Sequence, residues 1–130
     1  MADTTAAPTP YTTARLIREL SRIMSSDPVY AAASVKYEVG TMSLLPTVEY
    51  VSVDEGAEIV VMLDEDKSTT TPTYATANLG ELIWALSRMV RERPELADAR
   101  VAFPVNTVYR ESVFSVTADG NADEPIVILD

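Results

Sequence analysis

Two stretches of the chain place apolar residues at the 3.6-residue period of an amphipathic helix. Thr12 or Thr13 is a suitable N-cap for the first helix, and Asn78 followed by Glu81 is a capping-box pattern for the second. Each helix is followed by a proline, at which the chain is expected to change direction. The apolar stripes consist of Leu16, Ile17, Leu20, Ile23 and Met24 in the first helix, and of Leu82, Ile83, Leu86, Met89 and Val90 in the second.

Three apolar segments follow each helix and predict three β-strands. The first segments, around Val35–Val39 and Val101–Val105, alternate strictly, and Pro104 places the second of them at a sheet edge because proline cannot donate to a ladder. The middle segments, "TVEYVSV" and "SVFSVTA", break the alternation, which predicts a bulge or burial on both faces. The last segments, "IVVML" and "IVIL", are continuous apolar runs, typical of strands covered on both faces.

The two blocks are related by a shift of 66 residues, which lays residues 16–64 on residues 82–130 without a gap. Fifteen of these positions are identical, where average composition gives roughly three. We therefore predict a tandem duplication and an α+β fold. In this fold, two αβββ repeats are related by a pseudo-two-fold axis and their helices pack on antiparallel sheets. The predicted boundaries are an extended N-terminal arm at 1–11, the first repeat at 12–64, a linker at 65–77 and the second repeat at 78–130. The remaining sheet faces are expected to be covered by the sister repeat or by oligomerisation.

The charge of the chain argues against nucleic acid as a partner. Its 20 acidic and 10 basic residues give a net charge of −10, which repels a phosphate backbone. The N-terminal "MADTTAAPTP" has neither the basic nor the apolar region of a signal peptide, and no apolar run reaches the length of a membrane helix. We therefore expect a protein that is not secreted through a signal peptide and does not span a membrane.

Candidate chemistry is sparse. The chain has no cysteine and no histidine, and it contains no glycine-rich phosphate loop and no nucleophile elbow. Its carboxylates crowd two turns, where solvation is the simple interpretation. The alternative for "DGNADE" is a calcium loop with ligands at Asp119, Asn121 and Asp123, although Glu124 replaces the glycine expected at the sixth position. The sequence thus predicts a protein that is not an enzyme and has no catalytic residue, no cofactor and no metal site.

The positions at which the two copies differ indicate a contact surface. Trp84 stands where the first copy has Arg18, and Tyr109 stands where it has Ser43. Tryptophan anchors protein interfaces more often than its abundance predicts. The candidates for protein contact are Trp84, Tyr109 and the helix arginines Arg18, Arg22 and Arg88. The alternative for Trp84 is that it folds over the linker or the N-terminal segment of its own chain.

The second copy resembles small helix-plus-strands proteins that are common in bacteriophage and prophage genomes. The resemblance rests on "LGELIWALSRMVRERPELADARVAF", "VFSV" and "PIVILD", with Arg93 where that family often has Asn. The first copy keeps "DPVYAAASV" but lacks the Glu-Leu-Ala-Asp turn.

The resemblance implies a phage structural or assembly accessory protein, of the capsid-decoration or head-tail type. Its partners would be phage structural subunits or further copies of itself, so an oligomer is possible. It would reside in the virion or in the host cytoplasm. The alternative is a phage-encoded intracellular inhibitor of a host or defence protein, either an acidic DNA mimic or a nucleotide-sequestering protein.

Overall fold

Two helices pack against each other. The computed structural model describes residues 9–38, 45–56, 58–65, 72–105, 109–120 and 124–130. The helices are Thr13–Ser26 (α1) and Leu79–Glu92 (α2), and each leads into a short 3₁₀ helix, at Pro28–Ala32 and Pro94–Asp98. The prolines predicted to turn the chain are therefore the first residues of these 3₁₀ helices.

Both predicted N-caps are present. The Thr12 hydroxyl accepts a hydrogen bond from the Arg15 backbone N–H at 3.2 Å, and the Asn78 side chain accepts one from the Glu81 N–H at 2.9 Å. The Glu81 carboxylate accepts from the backbone N–H of Ala77, one residue earlier than in a standard capping box. Local sequence therefore fixes where both helices begin.

In the part of the chain that the structure describes, eight strands form two mixed sheets, so the predicted α+β class is confirmed. One sheet has the order β1-β8-β7 and the other has the order β4-β2-β3-β5-β6. The strands are Ser34–Tyr37 (β1), Tyr50–Glu55 (β2), Ile59–Asp64 (β3), Pro72–Ala75 (β4), Arg100–Pro104 (β5), Arg110–Ser112 (β6), Val116–Asp119 (β7) and Ile126–Leu129 (β8).

The prediction of antiparallel sheets is wrong, because the first strand after each helix pairs in parallel with a strand from the far half of the chain. Strand β1 pairs with β8, with Ser34 opposite Ile126. Strand β5 pairs with β3, with Arg100 opposite Val60. Each residue of the first pair lies 66 positions from one residue of the second. The duplication and its two-fold axis stay predictions.

The backbone contacts just inside the helix starts show the same spacing. The Thr13 N–H donates to the Ala99 carbonyl and the Leu79 N–H donates to the Ala33 carbonyl, both at 2.9 Å. Again each residue of one pair lies 66 positions from one residue of the other. The two helices thus begin in matching positions beside the 3₁₀ helix of the opposite half.

The gap-free register fails for the middle strands. Val51 of β2 faces Leu63, whereas Val116 of β7 faces Leu129. The leucines are 66 positions apart but the valines only 65. The first half therefore has one more residue between its first and middle strands, and one fewer in the hairpin that follows.

Two details of the strands also bear on the sequence predictions. Strand β5 lies between β3 and β6, so the prediction that it is an edge strand is wrong. Pro104 is tolerated because it is the last residue of β5. The expected irregularity of the middle segment is present: the register of β2 against β4 shifts between Val51 and Ser52, which are both buried. Strand β4 itself falls inside the segment predicted as linker.

The main core lies between the helices and the inner faces of the sheets. Leu20 and Leu86, at matching positions of the two helices, are both fully buried. A smaller cluster of Val60, Met62 and Ala102 is buried on the outer face of the five-stranded sheet. Strand β3 is therefore covered on both faces, as its continuous apolar run predicts. Within the described residues, neither helix has the length and apolar character needed to cross a membrane.

Candidate functional site

Trp84 lies on the outer flank of α2, away from the core. Leu82, Leu86 and Met89 on the inner side of this helix are at most 2% exposed, whereas Trp84 is 54% exposed. An exposed indole is unusual on a surface rich in charge, because tryptophan is mostly buried in folded proteins. The helix therefore presents a large aromatic ring to the outside.

The ring of Trp84 is held by a neighbour from β4. Pairing of β4 with β2 brings Tyr74 beside α2, and the Tyr74 and Trp84 rings meet edge to face with centroids 5.5 Å apart. Such pairs contribute about 0.5–1.5 kcal/mol beyond their buried area. Tyr74 belongs to the predicted linker, so the linker does contact Trp84, but more than half of the indole stays uncovered.

Charged groups complete this surface. The Arg88 guanidinium carbon lies 5.5 Å from the centroid of the Trp84 ring, and Arg88 Nε donates to Glu92 at 3.0 Å. The Tyr74 hydroxyl donates to the other Glu92 oxygen at 3.2 Å. The hydrogen bond to Glu92 raises the pKa of Arg88 above its ordinary value. We call Tyr74, Trp84, Arg88 and Glu92 the Trp84 face; its four side chains are linked by direct contacts.

The remaining predicted contact residues lie elsewhere. Tyr109 precedes β6 and is 67% exposed. Arg18 and Arg22 are exposed on α1, where Arg22 forms an ion pair with Glu19. Of the predicted set, the structure brings Trp84 and Arg88 together. Tyr74 and Glu92 were missed by sequence reasoning, and the only available signal was the aromatic residue in an otherwise small and polar linker.

The turn carboxylates are engaged by strand arginines. Glu58 accepts a hydrogen bond from Arg100 at 2.8 Å, and Asp54 pairs with Arg110. The hydrogen bond from Arg100 lowers the pKa of Glu58, which is therefore ionised at neutral pH. Among the described residues no group of three or more acidic side chains is arranged to hold a metal ion. Asn121 and Asp123 of the candidate calcium loop lie outside the described residues.

A cavity of about 440 Å³, which the sequence did not predict, lies between β2, β4 and the first turn of α2. Thr47, Glu49 and Tyr50 form one side, and residues 75–77 with Glu81 form the other. Glu49, Ala75, Ala77 and Glu81 are exposed, so the cavity is open to solvent. Glu81 lies one helical turn before Trp84, so the cavity adjoins the N-terminal end of the Trp84 face.

Comparison of the chain with protein-family models, with curated proteins and with solved structures finds no match. No relative therefore indicates a function, and the two helices and two mixed sheets place the described part of the chain in the α+β class.

Proposed function

We propose that this protein is a non-catalytic accessory subunit that binds another protein through its Trp84 face. The observation that carries the proposal is the state of Trp84, which is more than half exposed although its ring is fixed by Tyr74 and Arg88. Burying its exposed part, on the order of 100 Å², contributes about 2.5 kcal/mol at 25 cal/mol per Å². A ring that is already positioned loses little entropy on binding.

The partner is a different protein rather than a second copy of this chain. A net charge of −10 on each copy opposes self-association and favours a neutral or basic partner surface. Exposed aromatic and arginine side chains in contact are the residue types that dominate binding energy at interfaces. An assembly role of the phage-particle type fits this chemistry, and it remains the expectation from the sequence resemblance.

Site-specific photo-crosslinking tests the proposal. A photoreactive phenylalanine analogue replaces Trp84 in the full chain, in the cells that make it, and crosslinked products are identified by mass spectrometry. The matched control carries the analogue at Phe114, which is 44% exposed on another part of the surface. We expect position 84 to form one defined crosslink to a different protein, and the control to form none.

The contrary outcomes are equally distinct. A crosslink between two copies of the chain would contradict the proposal of a different protein as partner and would show self-association instead. Equal, unspecific crosslinking at both positions, or none at position 84, would overturn the proposal. Trp84→Arg provides a second measurement: it removes the ring contact with Tyr74 and should cost only about 0.5–1.5 kcal/mol of stability. The same substitution should abolish the crosslinked complex when the photoreactive group is placed at Arg88.

A further inference from the structure

Strand β4 forms one edge of the five-stranded sheet, and no strand in the described part of the chain pairs with its outer side. Just after β4, the Thr76 N–H donates to the carbonyl of Glu49, which precedes β2, at 2.8 Å. Successive residues of an antiparallel strand direct their backbone groups to opposite sides, so Tyr74 faces β2 as Thr76 does, and Ala75 faces away. Within the described residues, the N–H and C=O of Ala75 therefore have no ladder partner.

The first half of this edge is blunted, but the second half is not. Pro72 has no N–H to donate, and the register shift between Val51 and Ser52 places an irregularity opposite the start of β4. Ala75 is exposed, and its small side chain leaves room for a neighbouring backbone. Unpaired strand edges are ready sites for pairing with another chain. Ala75 is therefore the point at which β4 can accept a further strand.

Both faces of the sheet carry uncovered groups at this edge. On the face of Tyr74, the exposed ring of Trp84 lies beside the Tyr74 ring. On the face of Ala75, the open cavity is lined by Glu49 and Glu81. The side chains of an added strand alternate between the two faces. A segment paired with Ala75 would therefore place one side chain against Trp84 and the next beside the two glutamates.

We propose that the partner of the Trp84 face contributes an extended segment, which adds to β4 as a further strand. This inference rests on the proposed function, because it specifies how the partner binds at that face. The segment exchanges two backbone hydrogen bonds with Ala75. It packs a large apolar side chain on Trp84, and the adjacent residue is a lysine or arginine that faces Glu49 and Glu81. Strand addition of this kind takes affinity from backbone pairing and specificity from the alternate side chains.

Replacing Ala75 by proline tests the pairing, because proline removes the edge N–H and is tolerated where that N–H faces outward. The photoreactive analogue at position 84 reports the complex, and Ala75→Pro should lower the crosslink yield about tenfold or more. The matched control is Ala118→Pro in β7, an edge strand of the other sheet. Ser115 and Asp130 exchange both backbone hydrogen bonds, so the Ala118 N–H also faces away from its sheet. This control should leave the crosslink yield unchanged.

The basic residue of the partner is tested by charge. Glu49→Gln should lower the crosslink yield several-fold, because it removes one of the two carboxylates that the lysine or arginine faces. The control is Glu111→Gln, which removes an exposed carboxylate on β6 and should have no effect. Equal effects of the two substitutions would show attraction by the net charge alone and would overturn this part of the proposal.

Hydrogen exchange provides a measurement that needs no substitution in the edge. In the free protein, the Ala75 amide should exchange much faster than the amides of Tyr74 and Thr76, which face β2. In the crosslinked complex, exchange at Ala75 should slow about tenfold or more. A crosslink at position 84 without slower exchange at Ala75, or with an undiminished yield in Ala75→Pro, would overturn the added strand and leave the proposed function intact. The absence of any crosslink at position 84 would overturn both.

Discussion

Replacing Thr76 by valine should stabilise the free protein. The two side chains have nearly the same shape, and the hydroxyl that is removed is shielded from solvent and has no hydrogen-bond partner in the described part of the chain. Removing a desolvated, unpaired hydroxyl recovers about 1–3 kcal/mol, and the methyl group that replaces it stays in a position where the residue is only 4% exposed. We therefore expect the free energy of unfolding to rise by about 1–2 kcal/mol, equivalent to about 4–7 °C in melting temperature.

The chain provides a matched control at Thr13. This threonine is also fully buried, but its hydroxyl donates to the Ala99 carbonyl at 3.1 Å. Thr13→Val should therefore lower stability by about 1 kcal/mol, because one buried hydrogen bond is lost while the Ala99 carbonyl keeps the Thr13 N–H.

Urea unfolding of both variants measures the two effects. The slope of the free energy of unfolding against urea concentration should be the same in both variants and the wild type. The emission of Trp84, the sole tryptophan, provides the signal. If Thr76→Val destabilises the protein as much as Thr13→Val, the Thr76 hydroxyl has a structural partner and the reasoning fails.

Leu86→Ala should lower the free energy of unfolding by about 2–5 kcal/mol in urea titrations, because it opens a cavity at a fully buried position. Asn78→Ala should cost about 1 kcal/mol in the same assay, since the N–H of Glu81 loses its cap. The hydrogen bond from Arg100 lowers the pKa of Glu58 below its ordinary value of 4.5. The ionised form of Glu58 therefore stabilises the fold above pH 4.5, and this stabilisation is lost as the pH falls through the lowered pKa. Glu58→Gln should therefore reduce the loss of melting temperature between pH 5 and pH 3, by a small amount because its bond to Arg100 is solvent-exposed.

The elements of the fold were accessible from the sequence because they depend on local patterns. The caps at Thr12 and Asn78, the apolar stripes of the helices and the two-sided burial of β3 all depend on residues within a few positions of one another. The pairing of strands was not accessible in this way. Whether β1 pairs with a strand of its own half or with β8 depends on contacts between residues far apart in sequence, and no local pattern records that choice. The strands that pair across the two halves, β1 with β8 and β3 with β5, run parallel, so the prediction of antiparallel sheets failed.

The candidate site was predicted only in part, for a related reason. Trp84 was identified because the first half has Arg18 at the matching position. Tyr74 was assigned to a linker, since a segment of threonine, alanine and proline gives little strand signal. The cavity is lined by residues around β2, at the end of β4 and at the start of α2, which are far apart in sequence, so no local pattern indicated it.

The parallel pairing between distant segments has a consequence for how the chain folds during synthesis. Strand β1 has its ladder partner in β8, and roughly 90 residues separate the two, which takes on the order of ten seconds to translate. Throughout that time β1 lacks its parallel neighbour, and β3 lacks its own until β5, roughly 35 residues downstream, has been made. The emerging first half therefore exposes strand edges that favour pairing with other chains. Long-range contacts of this kind also slow the folding of the released chain, because the entropy cost of closing a long loop is incurred before the stabilising contacts form. A nascent chain halted after β4 should therefore be far more sensitive to protease than the full-length protein, with α1 and β3 already made but not yet held in place.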